Sequence, residues 1–214
     1  MTSSAAHTSP DRNANPRSAC QHAGQPGSGA LRASLSDEHP LATLLDEHQV
    51  ILSHLARLAE LTLAPALVTA PALRRAVLEE LLRLATKLIG VEPHHQREEQ
   101  VLFPALEERG IHGPPEAMAA EHVRLRALKH ALHDQARRLL AGGESLWPET
   151  CATAETLIEM LRAHIAKEDG VLYPLALRVI HEPSVWAELR RRCDAIGYCC
   201  PRAAAAACQG DDYP

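Results

Sequence analysis

His94-His95-Gln96-Arg97-Glu98-Glu99-Gln100-Val101-Leu102-Phe103-Pro104 recurs without a gap as His164-Ile165-Ala166-Lys167-Glu168-Asp169-Gly170-Val171-Leu172-Tyr173-Pro174. Five of the eleven positions are identical at an offset of 70 residues, and Arg/Lys, Glu/Asp and Phe/Tyr exchange like for like. Upstream of each copy stands a Glu-His pair, Glu47-His48 and Glu121-His122, at an offset of 74. The flanks of these pairs match poorly, so the pairs carry weight only beside the longer repeat. Together they predict two helical hairpins, each supplying a His and then a His-x-x-x-Glu.

Working outward, helical spacing continues on both sides of each copy. Leu41, Leu44, Leu45, His48, Leu52 and Leu55 form one apolar stripe, opened by Ser36 or Asp37 as a cap with Pro40 in the first turn. Pro65 and Pro71 mark the next connection. A second stripe holds Val77, Leu81, Leu84, Leu88 and Val91 and leads to Glu98 and Leu102. Pro93 lacks a backbone donor and should kink that helix just before the histidines. A third helix, over 115–140, turns Met118, His122, Leu125, Leu132, Ala136 and Leu139 inward and stops at Gly142-Gly143. A fourth begins near Pro148 and places Leu157, Leu161, His164, Glu168 and Val171 on one face. A short helix is expected over 184–193. β-Branched alternation is almost absent, so strands are not expected. The predicted fold is all-α, an antiparallel up-down-up-down four-helix bundle over 36–182. Residues 1–35, rich in Ser, Ala, Asn, Pro and Gly, read as a disordered tail, and 183–214 as a short helix with a Cys-containing tail.

Composition narrows the function classes. The chain has 214 residues, 46% hydrophobic, with a net charge of −5, which suits one ordinary core and gives no electrostatic footprint for nucleic acid or anionic membrane. Aromatics at 3% argue against base-stacking modules. The start of the chain lacks the pattern of a signal peptide. The most apolar stretch, 58–73, carries Glu60, Pro65 and Pro71 and cannot span a membrane. Cys20, Cys151, Cys193, Cys199, Cys200 and Cys208 suggest no secreted disulfide framework; a cytoplasmic protein with reduced thiols is expected. The 13 histidines direct attention to metal ligation.

Residues four apart lie on one helix face, about 6 Å apart, so His94 with Glu98, and His164 with Glu168, can reach the same metal pair. His48, His94, Glu98, His122, His164 and Glu168 all fall on the inward stripes. A carboxylate buried in a bundle core without a partner is costly, and coordination resolves that conflict at Glu98 and Glu168. Four imidazoles and two carboxylates suit two borderline divalent ions, iron above others, with both carboxylates bridging. A single buried His is commonly a packed core residue, and His95/Glu99 and His112/Glu116 share the same spacing. Register separates them: only His94 and His164 stand at the same distance from Leu-(Phe/Tyr)-Pro. His95 and Glu99 are the competing reading in the second helix, where the kink could rotate the face.

With these motifs the chain resembles the hemerythrin-like (HHE cation-binding) family over residues 36–200. Residues 94–126 and 186–200 look especially like a bacterial subgroup related to PAS-linked members, although no PAS domain fits this sequence. The resemblance implies a hemerythrin-like bundle with a non-haem centre of two iron ions, oxo- or hydroxo-bridged. Its implied ligands are His48, His94, Glu98, His122, His164 and Glu168. Oxygen-carrying members use five histidines and an aspartate. The four histidines and two glutamates here are closer to di-iron repair and nitric-oxide-responsive relatives. The implied function is to bind or sense O₂, NO or peroxide; the alternatives are an oxidoreductase consuming peroxide or NO, or an iron donor in cluster repair. Small diatomic ligands or peroxide are thus the expected partners, without nucleic acid or membrane.

Other features receive plainer readings. A ferritin-like oxidase needs two Glu-x-x-His motifs, and only Glu92 to His95 provides one. Cys193, Cys199, Cys200 and Cys208 follow no zinc-finger spacing and read as packed or idle thiols outside any metal shell. Arg190, Arg191 and Arg192 read as a solvated helix face, and Trp186 and Tyr198 as anchors folding the last helix onto the bundle.

Overall fold

A computed structural model describes residues 28–63 and 71–199. The elements are α1 (Ser28–Ala33), α2 (Pro40–Leu63), α3 (Pro71–Ile89), α4 (Glu92–Arg97), α5 (Phe103–Glu107), α6 (Gly113–Leu140), α7 (Trp147–Lys167), α8 (Tyr173–Val179) and α9 (Pro183–Ile196). Two π-helical turns join α4 to α5 (Glu98–Leu102) and α7 to α8 (Glu168–Leu172), and a 3₁₀ turn (Glu144–Leu146) precedes α7. Among the described residues there is no strand.

Helix α2 packs against α3 and α7, and α6 packs against the same two, which closes a ring of four. Each long element crosses the same three layers. Leu41, Leu44 and Leu45 on α2 belong to one apolar cluster, while Ile51, Leu55, Leu58 and Leu61 belong to another, with His48 between them. The α3–α5 unit runs through the same layers in the reverse order, from Leu81 and Leu88, past His94 and Glu98, to Leu102 and Leu106. Helix α6 repeats the order of α2, with Met118, His122 and then Leu125, and α7–α8 reverses it again. The alternation is the expected antiparallel bundle, with a polar layer held between two apolar ones.

Local chemistry sets the breaks. Helix α3 ends at Ile89, and Gly90 closes it by donating to Thr86 O at 2.9 Å. Pro93, which has no N–H to give, then sits in the first turn of α4, where no intrahelical donor is required. Helix α6 ends where Gly142 takes φ +100°, a left-handed conformation that side chains disfavour.

Three expectations are corrected. The tail assigned to 1–35 overlaps the described residues at its end, and there α1 is helical. Arg32 pairs with Asp37 and Asp46 at 2.7 Å each, and Leu31 and Leu35 pack against the apolar cluster of Leu41, Leu44 and Leu45. Residues 1–27 lie outside the described residues, as do 64–70 and 200–214 with Cys200 and Cys208. Second, Val171 is 56% exposed and Leu172 takes the inward place. A π turn holds one residue more than an α turn, so counting by 3.6 from Glu168 lands one position early. Third, the arginines of α9 are not uniformly solvated. Arg190 donates to Glu38 O at 3.1 Å and Arg192 to Gln100 O at 2.5 Å, tying α9 down, whereas Arg191 pairs with Glu188 of its own helix. The anchor reading of Trp186 and Tyr198 agrees with the contacts: Trp186 donates to Ile180 O at 3.1 Å and Tyr198 lies under the Arg97 guanidinium.

Candidate metal centre

The polar layer is built by four histidines whose rings are turned the same way. Each Nδ1 lies within hydrogen-bond distance of a carboxylate: His48 of Asp169 at 2.7 Å, and His94, His122 and His164 of Glu47, Glu99 and Glu121 at 2.8 Å each. With Nδ1–H donated outward, each Nε2 presents a lone pair to the middle of the bundle. The two halves of the chain do this symmetrically. Glu47 holds His94 and Glu121 holds His164 within a hairpin, while Asp169 holds His48 and Glu99 holds His122 across hairpins.

Inside this frame His48 Nε2 lies 3.1 Å from His94 Nε2, and His122 Nε2 lies 2.9 Å from His164 Nε2. Two facing lone pairs at that separation repel unless a cation or proton sits between them. Two nitrogens each about 2.1 Å from one ion, at about a right angle, are about 3.0 Å apart, so the spacing fits adjacent ligands of a single metal. Glu168 spans the two pairs: Oε1 is 2.9 Å from His164 Nε2 and Oε2 is 3.2 Å from His48 Nε2. Glu98 Oε2 is 3.5 Å from His94 Nε2 and 3.4 Å from His122 Nε2. Fully buried, Glu98 Oε2 and both Glu168 oxygens have no hydrogen-bond partner, a costly state for carboxylates that a metal pair would relieve.

All six side chains expected from the sequence thus converge. They form two overlapping groups able to hold a metal ion, one of Glu98, His122, His164 and Glu168, the other of His48, His94 and Glu168. The two carboxylates, both expected to bridge, differ in their surroundings. Glu98 Oε1 accepts the Tyr173 hydroxyl at 2.7 Å, which leaves Oε2 alone to face the centre.

Charge is balanced locally. Burial opposes ionisation of His48, but the Asp169 and Glu168 carboxylates outweigh it and raise the imidazole to about 10. Burial lowers His94 to about 4, against the pull of Glu47. Burial and the neighbouring Glu168 charge push Glu98 well above the usual carboxylate range. Burial works the same way on Glu168, yet His164, His122 and His48 hold it well below that range. Protons on these groups compete with a metal for the same lone pairs.

Sequence reasoning missed the outer groups. Glu47 and Glu121 were visible as partners in the Glu-His pairs, and Glu99/Asp169 as an acidic match in the repeat, but their task of holding the opposite rings needs the third dimension. Tyr173 stacks on His48 at 5.6 Å as Phe103 stacks on His122 at 5.9 Å, so this repeat position supplies a wall of the site. The competing His95 is buried, but it stacks on His122 at 4.0 Å and meets Lys129 Nζ at 3.5 Å, outside both ligand groups. His112 is exposed. Cys199 is no ligand in either group, but the chain does fold back to the site: its backbone N–H donates to Glu47 Oε1 at 3.3 Å.

Fold and site together define an all-α bundle with a buried His/Glu cluster able to hold metal ions. Residues 39–176 match the hemerythrin HHE cation binding domain, and the chain belongs to the hemerythrin family. The match is to the domain as a whole and separates no subgroup. Comparison with curated proteins gives no match.

Proposed function

We propose that the protein holds two iron ions at His48, His94, Glu98, His122, His164 and Glu168 and uses them to bind or sense O₂, NO or peroxide. The observation that carries this reading is the pair of facing imidazole couples bridged by a buried Glu168 with no hydrogen-bond partner. Iron bound there would supply a redox-active Lewis acid able to take a small ligand. The surrounding chain does the rest. Glu47, Glu99, Glu121 and Asp169 fix ring orientation and keep each Nδ1 protonated, as outer carboxylates do for metal-bound imidazole. The apolar layers on either side exclude bulk water.

Access is unequal. The His48–His94 group offers three side chains where the His122–His164 group offers four, so more coordination positions are open beside His48. There the Tyr173 hydroxyl, 3.5 Å from His48 Nε2, gives its proton to Glu98 Oε1 and turns its oxygen lone pairs toward that position as an acceptor. The reading places the protein in the reducing cytoplasm, where Cys151 and Cys193 stay as thiols. Among the described residues no helix is long and apolar enough to cross a membrane.

Anaerobic loading with ferrous iron, metal counting and absorption spectra under O₂, NO and peroxide test the proposal. Two irons per chain and a stoichiometric spectral change with at least one of the three ligands are expected. Absence of iron binding would overturn it, and continuous consumption of peroxide or NO would make the protein an oxidoreductase instead.

A further inference from the structure

The family match ends at residue 176, yet among the described residues the chain beyond it reaches the outer shell of one half of the centre, at Glu47 and Arg97. Glu47, which orients His94, accepts the Cys199 N–H through Oε1 at 3.3 Å, while its Oε2 takes both His94 Nδ1–H and the Arg97 guanidinium. Arg97 is itself 1% exposed, donates through Nε to Pro93 O at 3.2 Å, and lies 4.6 Å from the Tyr198 ring centre. Helix α9 lies over α4 and the first π turn, fastened by Arg192 to Gln100 O.

The repeat supplies the internal comparison. Lys167 stands where Arg97 stands, and binds Glu121 as Arg97 binds Glu47, but its side chain is 45% exposed. The Glu121 side chain is 22% exposed against 3% for Glu47. Val171 is 56% exposed where Val101 is 2%. One half of a near-symmetric centre is therefore covered by an added segment, while the matching outer residues of the other half, Lys167, Glu121 and Val171, are partly exposed.

We propose that residues 183–199 are a retaining strap for the metal held by His48 and His94: Tyr198 and the Cys199 N–H position Arg97 and Glu47, and through them His94. The inference rests on the two-metal reading above. An outer carboxylate held from three sides keeps the imidazole aligned and slows ligand exchange, and loss of such partners typically costs about 10- to 100-fold in metal affinity. The iron at His122 and His164 leaves first, and the strapped iron leaves late.

The full-length, iron-loaded protein is mixed with excess of a coloured ferrous chelator and release is followed in time. Two phases of equal amplitude are expected. Cys199→Pro deletes the N–H, and Tyr198→Ala removes the ring from Arg97 without touching the core. Each should speed the slow phase about tenfold or more and leave the fast phase as it was. Cys199→Ala, which keeps the N–H, should speed the slow phase less than Cys199→Pro. A single phase for both irons in the parent, or a slow phase that ignores Tyr198→Ala, would overturn the strap while leaving the two-metal centre standing. Failure to load two irons at all would overturn the centre itself.

Discussion

Glu168 is the residue on which the two halves of the centre depend, since one oxygen faces each imidazole couple. Glu168→Gln keeps the volume but replaces an anionic oxygen with an amide nitrogen that cannot bind a cation. Iron content should fall from two per chain to one or none, with helical content by circular dichroism retained. Two irons with an unchanged spectrum would remove Glu168 from the bridge.

Lys129 poses the opposite question, a buried ammonium with His95 as its near neighbour. Burial lowers it from 10.5 to about 8. Its folded value lies below its unfolded one, so the unfolded chain binds the proton more readily between about 8 and 10.5. The metal-free protein should therefore gain stability as pH rises through that window, and carry the full penalty, about 3 kcal/mol, below it. Lys129→Met removes the penalty but takes the donor from His95, which costs about 1–2 kcal/mol. A net gain of about 1–2 kcal/mol at pH 7 is expected in urea unfolding. Destabilisation at pH 7 would show that the ammonium has a favourable partner in the fold.

At the scale of elements, the two π turns decide which side chains meet the metal layer. In an unbroken α-helix, Tyr173 would lie five positions on from Glu168 and point about 140° away from it. The wide turn brings Leu172 and Tyr173 back under the site. Deleting the exposed Gly170 removes the extra residue and should rotate α8 by about 100°, turning Tyr173 off His48. Lower iron retention and a lower melting temperature are expected; unchanged values would mean that α8 orientation does not depend on the π turn. This is also where legibility in the sequence ended. The stripe Met118, His122, Leu125, Leu132, Ala136 and Leu139 was readable because α6 is a regular helix, and all six side chains are buried. Val171 was misplaced because nothing in the letters Glu-Asp-Gly-Val-Leu announces a π turn. The repeat was legible as paired ligands, while Asp169 reaching His48 over 121 residues of chain was not. Helix α1 was hidden for a related reason: its six residues, too few to hold a helix alone, are held by Arg32 to Asp46, a contact made only after α2 is in place.

The whole molecule is a near-symmetric pair of hairpins made unequal by what is added to it. The repeat supplies four His–carboxylate couples and two central glutamates, and the antiparallel ring carries them to one depth between two apolar layers. Phe103 against Tyr173, and the covering of one half by α9, then distinguish two positions that the repeat alone would make alike. Anomalous scattering at the iron edge, from crystals of the iron-loaded full chain, tests this directly. Two peaks are predicted, one about 2.1 Å from the Nε2 atoms of His48 and His94 and one at the same distance from those of His122 and His164, with Glu168 between them. A single peak, or iron bound away from these four nitrogens, would contradict the account.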